Sequence, residues 1–289
     1  MVDDVLRRRL EALNRGALPE RVASQAVARP VAEVAPPVQP GKAIPGLTRR
    51  GKVVSNRFGE HLRICLPLDA LWRGGTRLVA SRQEFLYSRL AEAQRAVEPT
   101  VVMDAEFAAL VTALPDRVLL LDLETCGLSG SALFLIGLLR HIDGAPAVEL
   151  LLARNYAEEP AVLESLWQIV AGHEVLVTFN GKAFDWPMVV DRSVRYRFEA
   201  ARSERKLVHV DVLHHARRRW RRQLPDCRLQ TLEQLVCRRR RVGDIAGHLI
   251  PAAYAEYVRT GFEREMDAIL YHNAIDLVTL FDLALRLAG

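Results

Sequence analysis

The chain has 289 residues, half of them hydrophobic, with a formal net charge of +5 and a pI near 9.2. That length suits one large domain or a medium domain with an appendage, and the apolar share suffices for a sizeable core, while the basic balance favours a polyanionic partner. No apolar run approaches the ~20 residues of a bilayer span, the opening MVDDVLRRRLEALNRG lacks the apolar core of a signal peptide, and Cys65, Cys126, Cys227 and Cys237 show no CxxC spacing; a cytoplasmic protein with reduced thiols and no membrane partner is expected.

Asp3–Leu13 has the spacing of a short amphipathic helix. From about Asn14 to Arg50 the chain is rich in Pro, Ala, Val and Arg, and Pro30, Pro36, Pro37, Pro40 and Pro45 forbid a continuous helix or central strand. Residues 1–50 are therefore expected to be a short helix and a flexible Pro/Ala-rich arm. Residues 51–115 read as an accessory segment with a strand at Leu62–Leu66 and a helix over Ser81–Ala96.

From residue 116 to residue 289 the pattern sharpens into a single domain. Val118–Asp122 is an apolar strand, a Gly-Ser turn runs from Gly127 to Gly130, and Ala132–Leu139 and Val148–Arg154 complete a three-stranded antiparallel meander. Glu158–Ala171 is helical with Pro160 in its first turn, and Val175–Phe179 is a fourth strand. The turn Asn180-Gly181 leads to a helical stretch over Phe184–Asp191. Leu207–Asp211 is a fifth strand running into a basic helix, Val212–Arg222. Leu229–Val236, Pro251–Thr260 and Glu263–Leu287 make the C-terminal third helical. Hairpin strands followed by alternating strands and helices indicate an α/β fold, a mixed sheet of meander plus parallel strands flanked by helices.

The chemistry-bearing feature is the end of the first strand of that domain. Asp122 and Glu124 are i and i+2 on one strand, so both carboxylates leave the same face at the edge of a hydrophobic core. Like charges so placed repel, and a divalent cation with hard oxygen ligands is the simplest reason to build the pair. Asp185 stands at the start of the helix after the Asn180-Gly181 turn. Asp276 lies in the last helix, four residues after His272, so the two share a helix face. Leu280, Leu283 and Leu287 follow Asp276 at helical spacing, which puts this acid on a packing face.

These blocks resemble a known family. LLLDLETCGLSGSALFLIGL, LVTFNGKAFDWPMVVDR, HVDVLHHARRRWRRQLPDCRLQTLEQ, VGDIAGHLIPAAYAEYVRTG and HNAIDLVTL resemble the DnaQ-type exonuclease branch of the ribonuclease H-like superfamily, and within it the YprB-like group of predicted exonucleases. The resemblance covers roughly Val118 to Leu285 and implies a ribonuclease H-like fold. It matches the family's D, E, D, D acids to Asp122, Glu124, Asp185 and Asp276, and implies that the four hold two cations, Mg²⁺ or Mn²⁺. The implied activity is 3′–5′ exonucleolytic hydrolysis of phosphodiester bonds in DNA or RNA, acting on a single-stranded 3′ end by a two-metal mechanism. Relatives place a His five residues before the last Asp or a Tyr four before it. Here Tyr271 and His272 stand at those spacings with the types exchanged. Helix geometry and a near-neutral pKa favour His272 as the water-orienting base, with Tyr271 the alternative.

Other residues carry weaker signals. Asp211 reads as the N-cap of the following helix, with orientation of a metal ligand as the second possibility. Asn180 and Lys182 are candidate phosphate contacts. Arg217–Arg222 and Arg238–Arg241 are dense basic runs, from which Arg218, Arg221 and Arg239 are expected to guide a nucleic-acid strand, with Trp220 in the core. Alternative readings are a structure-selective endonuclease on the same fold, a non-catalytic nucleic-acid-binding module, and an unrelated metal phosphoesterase acting on small molecules.

Overall fold

A computed structural model describes residues 44–95, 103–127, 131–199 and 207–289. The helix expected at Asp3–Leu13, most of the arm up to Arg50 and residues 128–130 of the Gly-Ser turn lie outside these residues. The described elements are, in order, β1 (Lys52–Asn56), β2 (Gly59–Pro67), α1 (Leu68–Leu71), α2 (Gly75–Arg95), α3 (Ala105–Ala113), β3 (Val118–Thr125), β4 (Leu133–Ile142), β5 (Ala145–Leu152), α4 (Glu159–Val170), β6 (Val175–Thr178), α5 (Asp185–Arg195), β7 (Val208–Asp211), α6 (Val212–Trp220), α7 (Leu229–Leu235), α8 (Ile250–Thr260) and α9 (Glu263–Ala288). All belong to the compact unit Pro37–Gly289.

The strands form one seven-stranded sheet in the order β1-β2-β5-β4-β3-β6-β7. Pairing is antiparallel from β1 through to β3 and parallel for β3–β6 and β6–β7. The central strands are buried on both faces. Val118–Leu121, Leu133–Leu139, Val148–Leu152 and Val175–Thr178 carry almost no exposed surface, which is why they read as continuous apolar runs rather than alternating ones. The mixed sheet, flanking helices and helical C-terminal third are those expected from the sequence. Residues 51–115, expected as an accessory segment, contribute β1 and β2 to this same sheet, and Leu62–Pro67 pairs along Ala147–Leu152 of β5.

Helix α9 lies across β3 and β4. It is long and apolar enough to suit a bilayer by length and composition, with a mean hydropathy of 1.4, yet 89% of that stretch is buried inside the fold. Its apolarity is that of a core helix. One acid inside it, Asp282, is compensated by Arg286 at 2.9 Å, by Arg239 at 3.5 Å and by Arg82 of α2. Burial would raise the Asp282 carboxyl, and these three guanidinium groups more than reverse that.

The parallel pair matters for the site. β3 and β6 run the same way, so their C-terminal ends open on one edge of the sheet, where α9 also passes. In open α/β sheets that edge is where ligands bind. The β3–β4 register shifts at a bulge between Glu124 and Thr125, after which Thr125 pairs with Leu133.

Candidate metal centre

Asp122 sits opposite Gly137 in the β3–β4 ladder. The glycine is needed there, because a Cβ would stand 1.7 Å from Asn273 Oδ1. The missing side chain lets Asn273 of α9 settle over the sheet and donate from Nδ2 to Asp122 Oδ2 at 2.7 Å. Asn273 is fully buried, and its Oδ1 has no hydrogen-bond partner. Glu124 follows two residues on. Asp185 opens α5, delivered by the Asn180-Gly181 turn, in which Asn180 adopts φ +67°. Gly181 again allows a close approach, since a Cβ would lie 2.4 Å from Thr178. Asp211 holds this turn. It accepts from Asn180 N at 2.8 Å and Lys182 N at 3.1 Å, and also caps α6 through Leu213 N at 3.1 Å. The N-cap expected from the sequence is present, and the carboxylate that makes it also fixes the approach to Asp185.

The acids act on one another. Burial, then Asp276, Glu124 and Asp185, drive the Asp122 carboxyl well above the ordinary range, against the opposing charge of Arg241. Burial pushes Glu124 up to about 8; His272 and an Asn273 hydrogen bond oppose this, while Asp276 and Asp185 add to it. Burial, reinforced by Asp211, lifts Asp185 to about 7 against hydrogen bonds from its own backbone and from Leu123. The structure thus gathers Asp122, Glu124, Asp185 and Asp276 at one electrostatic locus.

His272 shares the α9 face of Asp276, with Nε2 3.3 Å from Asp276 Oδ2. Its Nδ1 lies 2.7 Å from Asp244 Oδ1. Burial would depress the imidazole, but Asp244, Asp276 and Glu124 lift it to about 9. Tyr271 is buried, with its hydroxyl raised by that burial.

Two residues to which the sequence assigned no role at the site complete this side. Arg241 is only 8% exposed. It reaches Asp276 Oδ1 at 2.5 Å, Asp244 Oδ2 at 3.2 Å, and Glu233 through Nε at 2.8 Å and through Nη2. Burial opposes its charge, and Asp276 and Glu233 more than restore it. Asp244 bridges Arg241 and His272. Neither carries a local signal, because Arg241 ends a basic run and Asp244 lies in a loop.

The expected nucleic-acid contacts fall in different places. Lys182 pairs with Glu106 at 2.8 Å, and Arg218 with Asp104 at 3.1 Å. Arg218 and Arg219 border a 340 Å³ pocket with Leu287–Gly289, about 18 Å along α9 from Asp276 at 1.5 Å per residue. Arg221 is exposed at the end of α6. Arg239 faces inward, lying over the Trp72 ring at 4.5 Å and pairing with Asp282. Trp220 packs partly buried against the core.

Among the described residues, Asp104, Glu106 and His215 are the trio whose ligating atoms all lie within 4.8 Å of one another. Lys182 and Arg218 already neutralise it, and His215 Nε2 meets Glu106 at 2.9 Å. It ties α3 to α6 as an ion-pair network. The Asp122 cluster is spread more widely, but its chemistry fits a divalent cation better. It offers four carboxylates, three of them with ionisation suppressed by burial first and by neighbouring acids second. Hard oxygen donors suit Mg²⁺ or Mn²⁺.

Beside the acids is an apolar cleft of about 690 Å³, lined by Leu123, Phe184, Asp185, Pro187 and Met188. Phe184, immediately before Asp185, is 66% exposed. An open aromatic face next to a carboxylate cluster suits a planar, phosphate-linked group.

A family model described as RNase_H superfamily matches residues 119–288, a span containing all four acids and His272. The uncharacterized protein YprB of Bacillus subtilis (strain 168) is 32% identical over 170 residues, covering 58% of this chain and 41% of that protein. The chain therefore matches less than half the length of this relative.

Proposed function

Since the chain belongs to the RNase H superfamily, we propose that it is a metal-dependent nuclease hydrolysing phosphodiester bonds of DNA or RNA, acting as a 3′–5′ exonuclease. The observation carrying the reading is the set of four carboxylates, from β3, α5 and α9, in which Asp122, Glu124 and Asp185 are held above the ordinary carboxylate range chiefly by burial, with Asp276 adding its charge against Asp122 and Glu124. Asp122, Glu124, Asp185 and Asp276 would hold Mg²⁺ or Mn²⁺. Two such ions would supply charge neutralisation for an in-line displacement at phosphorus. The chain's own residues do the rest. Asn273 fixes Asp122, and Asp211 fixes the turn that presents Asp185. His272, expected near neutral from the sequence, is lifted to about 9 by Asp244, Asp276 and Glu124, so its Nε2 would take a proton from the attacking water only once bound cations offset the charge of those acids. Phe184 and the cleft beside it receive the base of the nucleotide being released.

The 3′–5′ direction rests on the sequence resemblance alone. A structure-selective endonuclease would use the same acids, and product length separates the two. The test is hydrolysis of end-labelled single- and double-stranded DNA and RNA with Mg²⁺ or Mn²⁺, beside Asp122→Ala. Mononucleotides shortening the 3′ end, lost by at least about 10²-fold in the variant, are expected. Internal fragments would replace the exonuclease by the endonuclease. No cleavage of any substrate, or equal cleavage by Asp122→Ala, would sink the nuclease reading.

A further inference from the structure

The segment between α7 and α8 reaches back over α9 and closes a ring of charges. Asp244 Oδ1 meets His272 Nδ1 at 2.7 Å, while Oδ2 accepts from Arg241 Nη1 at 3.2 Å. Arg241 Nη2 then reaches Asp276 Oδ1 at 2.5 Å, and Asp276 Oδ2 lies 3.3 Å from His272 Nε2. The other Arg241 contacts go to Glu233, which is itself buried. Four of the five N–H groups of this guanidinium are thereby engaged by carboxylates. Its effect is to lock the Asp244 carboxylate so that one oxygen faces the imidazole.

We propose that Asp244 is the positioning residue of His272, fixing a proton on Nδ1 and turning Nε2 toward the carboxylates and the attacking water. This rests on the nuclease reading for its use in catalysis, and on geometry for the contact itself. An imidazole can present a lone pair at only one nitrogen, and the hydrogen bond at the other decides which. On α9 alone His272 has only Asp276 as a carboxylate neighbour, four residues on. Asp244 is the group that holds the opposite edge of the ring. Removing such an outer partner costs about 10–100-fold in activity in comparable sites.

The test is nuclear magnetic resonance on the full-length chain, paired with nuclease kinetics. His272 Nδ1–H should give a downfield, slowly exchanging proton resonance, assigned by its loss in His272→Gln. Asp244→Ala should abolish that resonance and lower kcat about 10–100-fold, leaving KM and calorimetric Mn²⁺ affinity unchanged. Asp244→Asn keeps an acceptor oxygen of the same shape, so the resonance should persist, shifted upfield, with a smaller fall in kcat. This variant decides the matter if Asp244→Ala does not fold. A resonance unmoved in either variant overturns the proposal, as does a loss in Asp244→Asn of KM and Mn²⁺ affinity alongside kcat. A wild-type chain that cuts no nucleic acid would overturn the nuclease reading; the resonance then decides whether Asp244 holds the ring.

Discussion

Four consecutive arginines, Arg238 to Arg241, meet three environments. Arg238 and Arg240 are exposed, Arg239 lies over Trp72, and Arg241 is enclosed by Glu233, Asp244 and Asp276. From sequence such a run reads as one solvated face. Much of what separates its members is far along the chain, Trp72 upstream and Asp276 35 positions downstream on α9, where local periodicity is blind. Asp122 and Glu124 were legible as neighbours because strand geometry alone makes i and i+2 share a face. Gly137 was not, because its reason is Asn273 on a helix far along the chain. Gly137→Ala would put a Cβ 1.7 Å from Asn273 Oδ1 and 2.9 Å from Leu277 Cδ1. Both partners sit on the buried face of α9 and cannot retreat, so a loss of roughly 1–3 kcal/mol in urea unfolding is expected. In an Asn273→Ala background the nearest clash is gone and the cost of Gly137→Ala should fall, leaving the part due to Leu277. Equal costs in both backgrounds would refute the account.

At the scale of elements, single side chains join pieces that the sequence lists separately. Asp211 was legible as a cap because that contact is two residues away. Its other partners, Asn180 N and Lys182 N, are 31 and 29 residues away and were not. Asp211→Ala strands three N–H groups, at an expected cost of roughly 2–3 kcal/mol. It should also weaken Mn²⁺ binding through Asp185, and calorimetry showing unchanged affinity would break that link. The ends of β3, α5 and α9 further set a pH dependence. Glu124 and Asp185 rise to about 8 and about 7 in the fold, each chiefly through burial. The folded chain then binds more protons than the unfolded chain from about pH 4 to pH 8, so its stability falls as pH rises through that window. His272 is raised to about 9 by Asp244, Asp276 and Glu124, which outweigh its burial. Its contribution is complete below about pH 6.5 and is lost as pH rises through its folded value, the same sign. The chain in EDTA should therefore lose at least about 2–4 °C in Tm between about pH 6 and pH 9. Mn²⁺ requires the carboxylates deprotonated, so its stabilisation should grow over the same interval. A Mn²⁺ effect on Tm independent of pH would contradict a cation held by these acids.

At the scale of the whole molecule, the legible strands were the apolar runs bounded by turns, β3 to β7. The hairpin β1–β2 escaped in large part. β1 is a half-exposed edge strand, and the central turn residues Arg57 and Phe58 carry no Gly or Asn signal. Helix α3, AEFAALVTA, escaped because it has almost no polar face to set a period. Yet the residues before 116 hold the fold together at several points. β2 covers the edge of β5 and buries Ile64 and Leu66. Arg63 pairs with the fully buried Glu149, Arg82 with Asp282, and Asp267 of α9 accepts from Gly46 N at 2.6 Å and Thr48 N at 2.9 Å. A fragment of residues 116–289 contains the entire span matched by the family model, but it would leave β5 as an open apolar edge. It would also remove one guanidinium each from Glu149 and Asp282, two acids that are buried and cannot be rehydrated without opening the core. Residues 44–289 should melt cooperatively, whereas 116–289 should aggregate, or bind a hydrophobic dye and lack a cooperative transition. If 116–289 instead melts cooperatively within a few degrees of 44–289, the hairpin and α2 are appendages to an independent domain, and the ion pairs that cross to them contribute little.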